Sequence, residues 1–210
     1  MQEKKIPVND TAIVTAKINL ICFIAIIIHH LFHFVKYVIC SAMTTAIFPW
    51  SFDPPTYGHL NLIERARKLF DRIDVVVAVN TEKKYLFTAE ERCAMLSALT
   101  EPWQNVTVHL CDKLIVEYAR EKGANVLLRG IRNMNDFAYE FDLSLLNHNL
   151  NPAIETLFIP TEQRFYLTKS SAIKELAAFG GDISNMVPPI VAQAMKEKYR
   201  RAGESRGGAK

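Results

Sequence analysis

The chain has few cysteines, and none of them is arranged for metal binding. Cys22, Cys40, Cys93 and Cys111 form no CxxC pair, and none has a histidine at zinc-finger spacing. That excludes a zinc ribbon and leaves four separate thiols suited to a reducing, cytoplasmic setting. Net charge is also scarce, at +3 with a pI near 8.6. A Lys/Arg stripe dense enough for nucleic acid is missing, so the basic residues are left to meet small polyanions such as nucleotide phosphates. No clean apolar run is long enough to cross a bilayer. The longest, Leu20 to Ile28, spans nine residues, against about 20 for a membrane-spanning helix.

That run belongs to an unusual N-terminal segment. Ile18 to Cys40 is strongly apolar but interrupted by His29, His30, His33 and Lys36, and preceded by Lys4, Lys5 and Lys17. It imitates a signal peptide or a weak anchor. The plainer reading takes Met43 as the true start and residues 1–42 as an extension outside the fold, with no membrane partner. The three histidines have no carboxylate or cysteine interleaved with them, so no metal site is expected there. Internal repeats, a Pro-rich linker and a second domain are likewise missing. Half of the residues are apolar, enough for one domain with a substantial core. The organisation expected is an extension at 1–42, one domain at 43–199, and a basic, disordered tail at 200–210.

Within the domain, short β-rich runs alternate with longer helical ones. Strands are expected at 44–48, 74–79, 106–110, 125–128 and 155–159. Helices are expected at 58–70, 88–99, 113–121, 135–150, 170–179 and 188–199. Leu60, Leu62, Ile63, Ala66 and Leu69 form the apolar stripe of the first helix. Thr88 with Glu91 makes a capping box. Gly123 and Gly180-Gly181 are helix stops. Five βα units in succession predict an α/β fold, a Rossmann-like, doubly wound, five-stranded and mostly parallel sheet with helices on both faces. Ligands of such sheets bind beyond the carboxyl ends of the strands, at the switch point of strand order. The segments after the strands are therefore the candidates.

After the first strand comes Ser51-Phe52-Asp53-Pro54-Pro55-Thr56-Tyr57-Gly58-His59. The prolines fix the loop and Gly58 allows a close turn into the helix, whose free N–H groups and dipole favour phosphate. His59 in the first turn can donate to the same anion, although a histidine there more often merely caps the helix or faces solvent. After the second strand, Lys83 is a mobile cation. Leu114 and Ile115 offer an apolar wall after the third. Arg129 and Arg132, beside Gly130, follow the fourth, and can either clamp phosphate oxygens or pair with Asp136 and Glu140. After the fifth, the stretch Phe165, Tyr166, Leu167, Thr168, Lys169, Ser170, Ser171 offers hydroxyls and N–H groups at a helix start.

The Ser51–His59 string resembles the (T/H)xGH motif of the nucleotidyltransferase superfamily. With Leu86–Arg92, Arg129–Arg132, Asp136–Glu140, Glu155–Phe158 and Ser170–Glu175, the chain from about Met43 to Tyr199 resembles the phosphopantetheine adenylyltransferases of coenzyme A synthesis. The resemblance implies ATP and 4′-phosphopantetheine as substrates, with Mg²⁺ bridging phosphate oxygens. It implies catalytic roles for His59, Lys83 and Arg132. Nucleotide contacts are implied for Ser51, Phe52, His59, Gly130, Ile131, Arg132, Glu140 and the 165–171 stretch, and acceptor contacts for Ser51, Lys83, Ile115 and Arg129. It also implies a homohexamer. Lys83, Arg129 and the Glu155–Phe158 block favour phosphopantetheine over a rival acceptor such as nicotinamide mononucleotide. Two departures stand out. Lys169 replaces a serine, and Trp50 stands where the family usually has glycine. The bulk of Trp50 is expected to crowd the nucleotide or shift Ser51, and a nucleotide binder without catalysis is the rival reading from another class.

Overall fold

In a computed structural model, residues 28, 44–80 and 82–207 are described. The expectations for residues 1–42, the apolar segment and its histidines among them, lie outside the described residues. Strands β1 (Thr45–Trp50), β2 (Arg72–Ala78), β3 (Val106–Cys111), β4 (Val126–Ile131) and β5 (Glu155–Pro160) form one sheet in the order β3-β2-β1-β4-β5. Every pairing is parallel. Six helices connect or cover them: α1 (Tyr57–Ala66), α2 (Ala89–Thr100), α3 (Ile115–Lys122), α4 (Met134–Leu150), α5 (Ser170–Ala178) and α6 (Pro189–Gly207). A short 3₁₀ turn spans Gln163–Phe165.

The central strands read as unbroken apolar runs because both of their faces are covered. Alternate residues go to opposite sides. Ala46, Phe48, Val75, Val77 and Leu128 join Leu62, Ile63 and Leu96 of α1 and α2 in one core. Ile47, Val76 and Leu127 join Val116, Tyr118 and Ala119 of α3 in the other. A third cluster, with Phe87, Met95, Ile173, Val187, Val191 and Met195, ties α2 to α5 and α6.

The boundaries differ from expectation in ways that matter. β1 runs on to Trp50 and β4 to Ile131, so Trp50, Arg129 and Gly130 are strand residues rather than loop residues. Pairing keeps them extended: Trp50 lies opposite Val77, and Arg129 and Gly130 lie opposite Phe158 and Ile159. α1 ends at Ala66, where Arg67 closes it with N–H bonds to Arg65 and Ile63. α3 begins only at Ile115, with Leu114 still extended. α6 continues past Tyr199 to Gly207, into the segment expected to be disordered; Lys196, Glu197, Lys198, Arg200 and Arg201 include some of the better helix formers.

The switch point lies between β1 and β4, whose pairing is confined to Ala46–Val126 and Ile47–Leu127. Beyond that point the two strands part toward their carboxyl ends. Gly130 lets α1 pack directly on β4 there, since a Cβ would come within 2.3 Å of Leu62 Cδ1.

Candidate active site

A cavity of about 430 Å³ opens where β1 and β4 separate. The loop after β1 forms its floor. Asp53 is buried and holds that loop in place. Its carboxylate accepts the backbone N–H groups of Leu86 (3.0 Å) and Phe87 (3.0 Å) and the ammonium of Lys174 on α5 (2.6 Å). Phe52, with φ +48° in the left-handed region, buries its ring completely, edge-on to His59 at 5.0 Å and to Phe48 at 5.8 Å. Only its backbone is left to serve a ligand.

Thr56 caps α1 and shares a reciprocal box with His59. The His59 N–H donates to Thr56 Oγ1 (3.3 Å), and the Thr56 N–H donates to His59 Nδ1 (3.1 Å). This sets the tautomer. A backbone N–H can only donate, so Nδ1 is an acceptor and the ring proton sits on Nε2. Burial, and secondarily the charge of Arg132, push the His59 pKa down to about 3. His59 is therefore a neutral donor at physiological pH, held by its own helix terminus and facing the cavity. The capping and ligand-facing readings of this residue are compatible.

A second helix start lies beside the first. Gly58 passes so close to the turn before α5 that a Cβ would meet Thr168 Oγ1 at 2.5 Å. The Ser170 hydroxyl donates to the Pro54 carbonyl (3.0 Å), joining α5 to the β1 loop. Two helix N-termini thus converge on one cavity, with their free amides and partial positive charge. Lys83, Arg132, Lys169 and Lys174 line the same space, and Asp53 lies at its floor. Lys174 is taken by Asp53. Lys83, over the Tyr85 ring at 5.7 Å, and Lys169 make no ion pair among the described residues. The combination suits a polyphosphate.

Most of the expected site residues are brought together. Ser51, His59, Lys83, Gly130, Arg132, Thr168, Lys169, Ser170 and Ser171 all line the cavity. Arg132 is held side-on by Asp136 (2.7 and 3.2 Å), which leaves Nη1 for a ligand. Other residues are not brought there. Ile115 packs against the α3 face of the core, Ile131 ends β4, and Phe165, Tyr166 and Leu167 lie outside the lining. Arg129 and Glu140 are bound to each other through two hydrogen bonds (2.5 and 2.7 Å), and neither lines the cavity. Asp53, Thr56, Lys174, Tyr139 and Thr161 were not anticipated as lining residues. Thr56 had a local signal, a capping threonine three residues before His59. Asp53 and Lys174 each fall in a stretch that carries the family resemblance, but they lie 121 residues apart and nothing in the sequence pairs them. Among the described residues no group of His, Cys, Asp and Glu is arranged to hold a metal ion, and no helix is long and apolar enough to cross a membrane.

A parallel α/β sheet with a cationic cavity at its switch point is the arrangement of a doubly wound nucleotide-binding domain. Residues 47–176 match the cytidylyltransferase-like family. The fold is also that of a solved structure assigned by its name to the nicotinate-nucleotide adenylyltransferases, from Vibrio parahaemolyticus. The TM-score is 0.58 at 21% identity, covering 75% of this chain and 96% of that one. More specifically, 160 residues, 76% of this chain, are 43% identical to the whole of a phosphopantetheine adenylyltransferase of Caldanaerobacter subterraneus subsp. tengcongensis. A second match, 46% identical, to the enzyme of that name from Herpetosiphon aurantiacus, spans 164 residues, 78% of this chain and 99% of the relative. The chain belongs to the phosphopantetheine adenylyltransferase family.

Proposed function

We propose that this chain transfers the adenylyl group of ATP to 4′-phosphopantetheine, giving dephospho-coenzyme A and pyrophosphate. The observation that carries this reading is His59. It is a neutral Nε2–H donor fixed at a helix start, in a cavity that Lys83, Arg132, Lys169 and Lys174 also line. An acceptor phosphate oxygen attacks the α-phosphorus in line. The new P–O bond forms as the bond to the β-phosphate breaks, and pyrophosphate leaves with the electron pair. The attacking oxygen is already ionised, so no side chain has to remove a proton. Catalysis comes from positioning and from stabilising charge on the equatorial oxygens. His59 Nε2–H and Lys83 serve the α-phosphate. Arg132, Lys169 and the Ser170-Ser171 turn serve the leaving pyrophosphate.

Mg²⁺ is expected with ATP, yet the cavity has no carboxylate to spare, because Asp53 is occupied by Leu86, Phe87 and Lys174. The ion would be held by phosphate oxygens, in keeping with its preference for few protein ligands. Association between copies, which family resemblance puts at six, is supported by α4, a 17-residue helix with only Glu140 buried and with Phe141, Leu145, Leu146 and Leu150 exposed. Contiguous apolar surface of this kind marks association. A cytoplasmic setting is supported by the free thiols of Cys93 and Cys111.

The test is pyrophosphate release from ATP and 4′-phosphopantetheine, on the full chain and on the chain begun at Met43. Release that depends on the acceptor is expected from both. ATP binding without release would favour a non-catalytic nucleotide binder.

A further inference from the structure

The ion pair of Arg129 with Glu140 sits where β1 and β4 part. Arg129 donates Nε–H and one Nη2–H to the Glu140 carboxylate and one Nη1–H to the Pro49 carbonyl across the gap (2.7 Å). Its Cζ lies over the Trp50 ring, 4.4 Å from the centroid. The pair's side chains are only 19% and 7% exposed. Trp50 itself lines the cavity, whereas Arg129 and Glu140 do not. The indole therefore touches both the cavity and the arginine. A guanidinium that lies over an aromatic ring and gives three of its five N–H groups to a carboxylate and a carbonyl is held where it is, and gains less by moving to an incoming anion.

From this geometry we infer that Trp50 is a specificity-determining residue that caps the Arg129–Glu140 pair and withdraws Arg129 from the acceptor phosphate, leaving Lys83 as the cation that binds it. The inference rests on the acceptor proposed above. It separates this chain from the role that family resemblance implies for Arg129. A glycine at position 50 would leave that face of the guanidinium open to the cavity. In this chain the arginine serves instead as a clip between β1, β4 and α4.

The test divides the Kd of pantetheine by that of 4′-phosphopantetheine, both measured by calorimetry, so that the ratio reads the strength of the phosphate contact alone. The Arg129→Gln/Glu140→Gln double variant removes both charges together and avoids a buried unpaired carboxylate. It is expected to keep the wild-type ratio within about two-fold, whereas Lys83→Gln lowers it about ten-fold or more, the worth of a charge-assisted contact. Trp50→Gly uncovers Arg129 and raises the ratio, and Trp50→Phe, which still caps, leaves it unchanged. Thermal unfolding of each variant checks that it is folded. A ten-fold fall in the double variant, or an unchanged ratio in a folded Trp50→Gly protein, would overturn the inference. Failure of the wild type to release pyrophosphate would refute adenylyl transfer instead, and the two failures are distinct.

Discussion

Lowering the pH should destabilise this protein through His59 before it protonates the cavity's donor. The ring is 8% exposed, flanked by Phe52 at 5.0 Å and Trp50 at 5.8 Å, and its Nδ1 already accepts the Thr56 N–H. Protonating Nδ1 would set two N–H donors against each other inside an apolar wall, beside Arg132. In the unfolded chain the same imidazole titrates at its ordinary 6.5, and in the folded protein near 3. Between those values the unfolded state binds the proton and the folded state does not. Stability from this residue is therefore complete above pH 6.5 and is lost as pH falls toward 3. With about 1.4 kcal/mol per pKa unit, the loss from pH 7 to pH 5 is about 2 kcal/mol. The assay is urea denaturation at pH 7, 6 and 5 for wild type and His59→Gln. The variant keeps an amide donor and removes the titration, so contributions from other carboxylates cancel in the difference. Wild type should lose about 2 kcal/mol more than the variant across that range. Identical pH slopes, or a His59 ring resonance that titrates near 6.5, would refute the burial argument. The same reasoning predicts no fall in turnover attributable to His59 protonation between pH 5 and 8.

Three further outcomes follow from the site and its supports. His59→Ala should lower turnover in the pyrophosphate assay by a factor of about 10² or more, the scale of removing one transition-state donor. It should also cost about 1 kcal/mol in urea denaturation, because the box with Thr56 is broken; undiminished turnover would remove His59 from the chemistry. Asp53→Ala should destabilise by about 3 kcal/mol, since it strands the Leu86 and Phe87 amides and the Lys174 ammonium, with Asp53→Asn milder because it still accepts hydrogen bonds. Leu145→Glu on the exposed face of α4 should shift the assembly to smaller species in light scattering behind size exclusion, with the far-ultraviolet spectrum unchanged.

How much of this was readable beforehand depended on whether the forces were local. The βα succession was visible because fully covered parallel strands have to be apolar at consecutive positions, as in Val75-Val76-Val77, and because Thr88 with Glu91 and Gly123 mark helix ends through bonds within a few residues. The strand ends were misread because Arg129 and Gly130 have the composition of a loop. Their extension is imposed by Phe158 and Ile159 on the neighbouring strand. The cap of α1 was half legible for a chemical reason: Thr56 is an ordinary capping residue, but a capping box is usually recognised by Glu or Gln at its third position, and here an imidazole nitrogen takes that part.

The less legible features have one physical origin, polar and aromatic groups that meet only after the sheet is assembled. Asp53 finds Leu86, Phe87 and Lys174, and Arg129 finds Pro49 and Trp50, across separations that no periodicity records. Trp50 illustrates the consequence. From sequence its bulk was expected to act on the nucleotide or on Ser51. In the folded chain its ring both lines the cavity and covers Arg129. A large residue at the end of a central strand fills whatever the neighbouring strand presents, and at a switch point that neighbour is β4. A substitution on β1 can therefore alter the surroundings of a β4 arginine while leaving the two helix starts at the cavity, those of α1 and α5, as they were.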